Sequence, residues 1–293
     1  MIKYGTNQHV DERYSSIFEP NLFTNAWLVP GVTYTDKYQT GPAGGYYVHK
    51  LNKGDDVVPG APGRDFTHET VKDDLIQIVL NNNYQKSRKL YQVQMNAIDA
   101  ALGNEVMADT TKLVQEAING SALAALITEG HAGTVATVTD NNAKATLIDV
   151  RKELVKGRAG SAKVILASPD YYAHILAQAG KEFVPAVNER IQGNAAVGTW
   201  YGFTIFECPQ LAANTTYKYY NYAGLEKSVD AAALAKINFI AYDPQAFSML
   251  TNLAAYRFMD GGKDFVGSVA QAEVNTGFRV TNEDLVYISR NAE

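Results

Sequence analysis

The chain has 293 residues, 46% hydrophobic and 11% aromatic, with Lys+Arg 26 against Asp+Glu 31 and a formal net charge of −5. Low charge and plentiful aromatics exclude a disordered or fibrous chain, and the single cysteine, Cys208, excludes an intrachain disulfide scaffold. The acidic balance argues against a surface that grips nucleic acid, because phosphate binding calls for a basic excess; it leaves room for one that lies beside DNA without holding it.

The opening Met1-Ile2-Lys3-Tyr4-Gly5-Thr6-Asn7 lacks the long apolar core of a secretory signal. No run of about 18 uninterrupted apolar residues is present, so neither a membrane-spanning helix nor a membrane partner is expected. Residues 1–29 are polar and irregular until Phe23 and Ala26-Trp27-Leu28-Val29. Pairs such as Pro30-Gly31, Gly41-Pro42, Pro59-Gly60 and Pro62-Gly63 then punctuate two β-favouring runs, Val32–Tyr38 and Gly45–Leu51. The simplest reading is a long hairpin whose arms carry few core-type residues. Strands are expected at Asp74–Leu80 and near Lys89–Val93. A helical apolar period runs from Met95 to Ile127, with a possible break at Gly103.

From Ala143 the pattern is more ordinary. Leu147, Val150, Leu154 and Val155 mark a helix ending before Gly157, and Val164-Ile165-Leu166-Ala167 is a buried strand. Ser168-Pro169-Asp170 is a strong helix start, with a capping hydroxyl, a proline in the first turn and an acid at the positive end of the dipole. That helix is expected to turn Tyr172, Ile175 and Leu176 inward and to stop at Gly180. Strands follow at Gly202–Glu207, Lys236–Ala241, Phe247–Leu250, Val266–Val274, Gly277–Val280 and Leu285–Ile288.

The geometry already points to an unusual shape. A compact chain of this length has a diameter of roughly 50 Å, and the Met95–Ile127 helix would span about 50 Å by itself. A two-stranded arm with little of its own to pack on is marginal in water, so it calls for a neighbouring molecule to cover it. A flat, armed subunit suits a lattice.

No catalytic constellation stands out. His9, His49, His68, His131 and His174 show no metal-ligand spacing, and Cys208 ends an apolar strand as a buried, inert thiol. Gly193–Gly198 lacks the lysine and setting of a phosphate loop and reads as a loop before a strand. The basic run Lys86, Arg88, Lys89 reads as a solvated edge, with contact to phosphate or an acidic partner as the alternative. Neither a cofactor nor a metal is expected, and no enzyme activity.

Taken in order, these segments resemble the major capsid proteins of tailed double-stranded-DNA bacteriophages, the Hong Kong 97-type shell fold, of α+β class. The order of elements carries the resemblance: Met95–Ile127 as a spine helix, then Asp149-Val150-Arg151, Val164–Ser168-Pro169-Asp170-Tyr171 and Gly198-Thr199-Trp200-Tyr201-Gly202-Phe203-Thr204-Ile205 as an axial domain. The resemblance implies an N-terminal arm over 1–29, an extended loop over 30–66 and a peripheral domain with the spine helix over 67–140. It further implies an axial domain over 141–235 and strands returning to the peripheral domain over 236–293. Also implied are self-assembly into hexamers and pentamers of an icosahedral head enclosing double-stranded DNA, scaffolding and portal partners, and a place in the virion after assembly in the host cytoplasm. Lys37, Tyr38, Tyr46, Tyr47, Lys50 and Lys53 of the loop become candidate contacts between subunits.

Some relatives cleave a long N-terminal scaffolding segment; with the loop beginning by Pro30, a separate scaffolding protein or none is expected, without proteolysis of this chain. Crosslinking of Lys37, Lys50 or Lys53 to Asn275 or Asn282 is not expected. Two other readings stand beside this one. An encapsulin would use the same fold around cargo enzymes, and an α/β enzyme could place an anion at the helix opened by Ser168-Pro169-Asp170.

Overall fold

The computed structural model describes residues 3–4, 8–9, 27–28, 33, 45–51, 70, 73–91, 102–135, 137–157, 159–180, 183–185, 196–260 and 266–291. In chain order the strands begin with β1 (Lys3–Tyr4), β2 (Gln8–His9), β3 (Gly45–Leu51), β4 (Asp73–Val79) and β5 (Asn82–Tyr91). Helix α1 (Leu102–Glu129), strand β6 (His131–Val135), helix α2 (Ala143–Lys156), β7 (Lys163–Ala167) and helix α3 (Pro169–Gln178) follow. Then come β8 (Val184–Pro185), β9 (Ala196–Trp200), β10 (Phe203–Glu207), β11 (Tyr217–Tyr220), β12 (Glu226–Val229) and the short helix α4 (Ala231–Ala235). The chain closes with β13 (Ile237–Tyr242), β14 (Phe247–Asp260), β15 (Gly267–Val280) and β16 (Val286–Arg290).

Among the described residues, one mixed sheet runs β6-β16-β13-β7-β10-β9-β8. Its centre is apolar at most positions because both faces are covered, the condition that turns alternation into a near-continuous hydrophobic run. Ile165, Ala167, Phe203, Ile205, Phe239 and Ala241 face α2 and α3, packing on Leu147, Val150, Leu154, Tyr171 and Ile175. Val164, Leu166, Phe206, Ile240 and Tyr242 point the other way, into a core shared with Leu123, Leu126, Phe247 and Phe278. The second layer is the three-stranded sheet β14-β15-β5, packed against α1. β15 does alternate, with Ala270, Ala272, Val274 and Phe278 buried against the helix side while Gln271 and Glu273 face outward.

Helix α1 changes character along its length of 28 residues, about 42 Å at the usual rise. Its first half lies on β5, with Val106 against Leu90 and Ala270. From Ile118 to Ile127 every residue is buried, because β15 covers one side and the hairpin β11–β12 another. Thr110, Thr111 and Thr128 satisfy their hydroxyls on the carbonyls of Val106, Met107 and Ala124, at 2.6, 2.9 and 2.8 Å. Gly103 falls in the first turn, and residues 95–101 lie outside those described.

Ser168 caps α3 as its sequence predicts, its Oγ accepting from the Tyr171 N–H at 3.2 Å. The inward residues of that helix are Tyr171 and Ile175, whereas Leu176 is exposed and Tyr172 half-buried. The cap sets the rotation of the helix, so the large ring of Tyr171, tilted against Phe239 with centroids 4.4 Å apart, takes the core position expected of Tyr172. Three further readings change. Gly193–Gly198 is not wholly a loop, since β9 begins at Ala196. The two strands expected at 266–280 are one, because Asn275 and Thr276 continue the ladder opposite Asn83 and Asn82. Ile237–Tyr242 and Val286–Arg290 pair within the seven-stranded sheet, Ile237–Tyr242 directly beside Lys163–Ala167. The partner of Gly45–Leu51 is Asp73–Val79, paired antiparallel from Gly45↔Val79 to Leu51↔Asp73; the Val32–Tyr38 run lies outside the described residues apart from Thr33.

Candidate assembly surfaces

The β3–β4 ladder is the limb of the molecule. Among the described elements β3 packs substantially on β4 alone, and β4 meets the rest of the protein near its end, where Gly277 of β15 lies against the Val79 carbonyl. A Cβ there would collide with that backbone, so the glycine is what lets the limb root so closely on the sheet. Of the six candidate contact residues, Tyr46, Tyr47 and Lys50 lie in β3, in register with Ile78, Gln77 and Asp74. Lys37, Tyr38 and Lys53 lie outside the described residues. Asn275 sits in the middle of β15 and Asn282 in the turn after it.

At the other end of β5, the basic run is not a plain solvated edge. Arg88 is bonded to Asp109 of α1, whose side chain is 1% exposed. The missed signal lies in the strand period: Tyr84, Arg88 and Leu90 occupy the face of β5 that meets the helix. On the outward face, Asn83 and Gln85 both donate to Glu273 (3.0 and 2.9 Å), and Arg257 donates to Gln271 at 2.6 Å. This sheet face is a lattice of amides with little net charge.

The hairpin β11–β12 is not among the strands expected from the sequence; the β-favouring Tyr217-Lys218-Tyr219-Tyr220 before Ala223-Gly224 is its signal. It stands on α1 and on the β4–β5 turn. Ser121 donates to the Lys218 carbonyl at 2.7 Å, Asn81 to the Asn221 carbonyl at 2.8 Å and Asn82 to the Tyr220 carbonyl at 3.0 Å; the Tyr220 N–H returns to Asn82 Oδ1 at 2.7 Å. Beneath it, Glu129 at the end of α1 accepts from Tyr219 Oη (3.1 Å) and the Val280 N–H (3.0 Å), with Arg279 at 3.7 Å. Burial pushes the Glu129 carboxyl above its ordinary value, against the pull of those partners. A polar depression of about 410 Å³ opens beside it, lined by Ile76, Glu129, Arg279 and residues 280–284.

Among the described residues, Cys208, His174 and the start of α3 are tied up in structure. Cys208 is fully buried and its thiol is pushed up to about 12 by desolvation. It donates to Gln210 at 3.3 Å, and Gln210 in turn donates to both oxygens of Glu116 on α1 at 3.1 Å, tying the turn after β10 to the helix. His174, half-buried on α3, meets Asp140 at 2.6 Å. The α3 N-terminus spends the Tyr171 N–H on Ser168 Oγ. Among the described residues, no cluster of His, Cys, Asp or Glu suits a metal ion.

The fold was compared with known proteins. A structure from Mycobacterium phage Che8 superposes with a TM-score of 0.64 at 15% identity, covering 97% of each chain. The capsid of cyanophage P-SCSP1u gives 0.68 at 11% identity over 99% of this chain and 97% of that one. The mature capsid of bacteriophage PhiM1 gives 0.64 at 15% identity over 99% and 95%. The chain has a Hong Kong 97-type phage capsid fold. At the level of sequence, no family model and no curated protein matches it. The capsid fold thus persists here on the pattern of elements and buried faces, with the identity of single residues almost wholly exchanged.

Proposed function

We propose that this chain is a major capsid subunit, a structural protein without enzymatic activity that assembles with its own copies into hexamers and pentamers of an icosahedral phage head around double-stranded DNA. One observation carries the reading. Capsids of two phages match 99% of this chain, and 97% and 95% of their own chains, in one superposition each. The buried thiol and the capped α3 helix are consistent with it.

In this reading residues 1–29 are the N-terminal arm, anchored by the fully buried Trp27. The extended loop proposed over 30–66 reaches on to Val79 through the β3–β4 ladder, and α1 is the spine helix of the peripheral domain. The axial domain is built on the seven-stranded sheet, which also takes in β13 and β16 from the returning 236–293 segment. Tyr46, Tyr47 and Lys50, with Lys37, Tyr38 and Lys53, touch the adjacent copy. Scaffolding and portal proteins are the proposed partners during assembly in the host cytoplasm. Packaged DNA is met only weakly, because a net charge of −5 per copy opposes tight phosphate binding.

Expression of the chain alone, followed by sizing and negative-stain imaging, tests this directly. Curved sheets, tubes or polyhedra are expected. A compact 32.0 kDa monomer that persists at high concentration would sink the proposal.

A further inference from the structure

Three exposed apolar side chains crowd the tip of the β11–β12 hairpin: Tyr220 at 44%, Tyr222 at 44% and Leu225 at 59% exposure. They are not a frayed loop. Asn221 closes the tip by accepting from the N–H groups of Ala223 and Leu225, both at 3.0 Å. The hairpin is clamped from below by Ser121, Asn81 and Asn82, and the Tyr217 ring lies on Gly120. Arg279 stacks on one face of Tyr222 at 3.9 Å, fixing that ring too. A patch of aromatic and aliphatic groups held this firmly loses little entropy on binding, which is what an anchor site needs.

The same chain carries a segment that lacks such support. The β3–β4 ladder has two strands of 7 residues each and, among the described elements, no substantial packing for β3 beyond β4, and a two-stranded ribbon of that size is marginal in water. The charges are of opposite sign. The ladder carries Asp73 and Asp74 against Lys50, while the hairpin strands carry Lys218 and Lys227 against Glu226. We propose that the β11–β12 hairpin tip is the docking platform for the β3–β4 limb of a second copy of this chain, with Leu225 and Tyr222 as its apolar anchors. This rests on the shell reading above and names the surface that receives the limb.

The test is site-specific photocrosslinking. Leu225→p-benzoylphenylalanine protein is co-assembled with an excess of wild-type, isotopically labelled chain, irradiated and mapped by mass spectrometry. Adducts between copies are expected on peptides within residues 45–79. Particles that form with adducts elsewhere, with adducts only inside one copy, or with none, overturn the platform and leave the shell reading standing. Wild-type protein that never assembles overturns both. Independently, Leu225→Asp should lower particle yield at least about tenfold, as loss of a central anchor does, at an unchanged unfolding midpoint; an unchanged yield overturns the proposal.

Discussion

The guanidinium of Arg88 on β5 is bonded to the carboxylate of Asp109 on α1, the first 32% exposed and the second 1%. This pair rivets the edge strand of the three-stranded sheet to the exposed half of the long helix, where apolar contact is thin: Leu90, Val106 and Ala270 form only a small cluster. Removing Arg88 takes a charged partner from the buried Asp109 carboxylate. Arg88→Met should therefore destabilise the protein by about 3 kcal/mol, the low end of the range for breaking a buried pair because the arginine is partly solvated. Urea denaturation followed by circular dichroism reads the loss, and Asp109→Asn combined with Arg88→Met should recover part of it.

Gly120 lies in the middle of α1, where helix propensity alone would have Gly120→Ala stabilise by about 1 kcal/mol. The structure reverses that sign, because a Cβ at this position falls on the Tyr217 ring. Gly120→Ala is expected to lower the melting temperature. The double variant Gly120→Ala/Tyr217→Ala should fall by less than the sum of the two single variants, with a coupling of about 1–2 kcal/mol for residues in direct contact.

Glu129 gives the protein a pH signature. Its carboxyl is raised from an ordinary value of 4.5, chiefly by burial, so the folded state holds this proton to higher pH than the unfolded chain does. The site is thus most favourable to folding below about 4.5, and its contribution is lost as pH rises through the raised folded value. Glu129→Gln removes the titration. Measured against wild type by thermal melts from pH 4 to pH 8, the variant should gain relative stability as pH rises. A constant difference across that range would contradict the burial of Glu129 described above.

Cys208 should be silent in native protein. With its side chain enclosed and its thiol pushed up to about 12, thiolate at neutral pH is negligible. Ellman's reagent is expected to give no signal from folded protein or intact assemblies, and one thiol per chain after denaturation. Non-reducing electrophoresis should show no disulfide-linked dimer.

How much of this is legible in the sequence divides along the line between local and distant interactions. The start of α3 can be read from Ser168-Pro169-Asp170 because the cap, the proline and the acid act within one turn. The buried strands at 163–167 and 237–242 announce themselves as near-continuous apolar runs, Val164–Ala167 and Phe239–Tyr242, which two covered faces produce. The partner of Gly45–Leu51 cannot be read, since Asp73–Val79 pairs with it across residues 52–72 and the Pro-Gly turn signals in that stretch do not say which strand returns. Arg88 looks like one of three surface cations because Asp109 is 21 residues away on another element. The hairpin at 217–229 escapes notice because its strands have only 4 residues each, and the support for them comes from Gly120, Ser121 and Asn82. The fold class survives these errors because it depends on the order and spacing of long elements.

The most direct test of a shell-forming role is a cryo-electron microscopy reconstruction of whatever the purified chain builds. Rings of five and six copies are expected, with the β3–β4 limb of each copy lying across its neighbour. A limb folded back over its own body in a particle-free monomer would contradict the central claim.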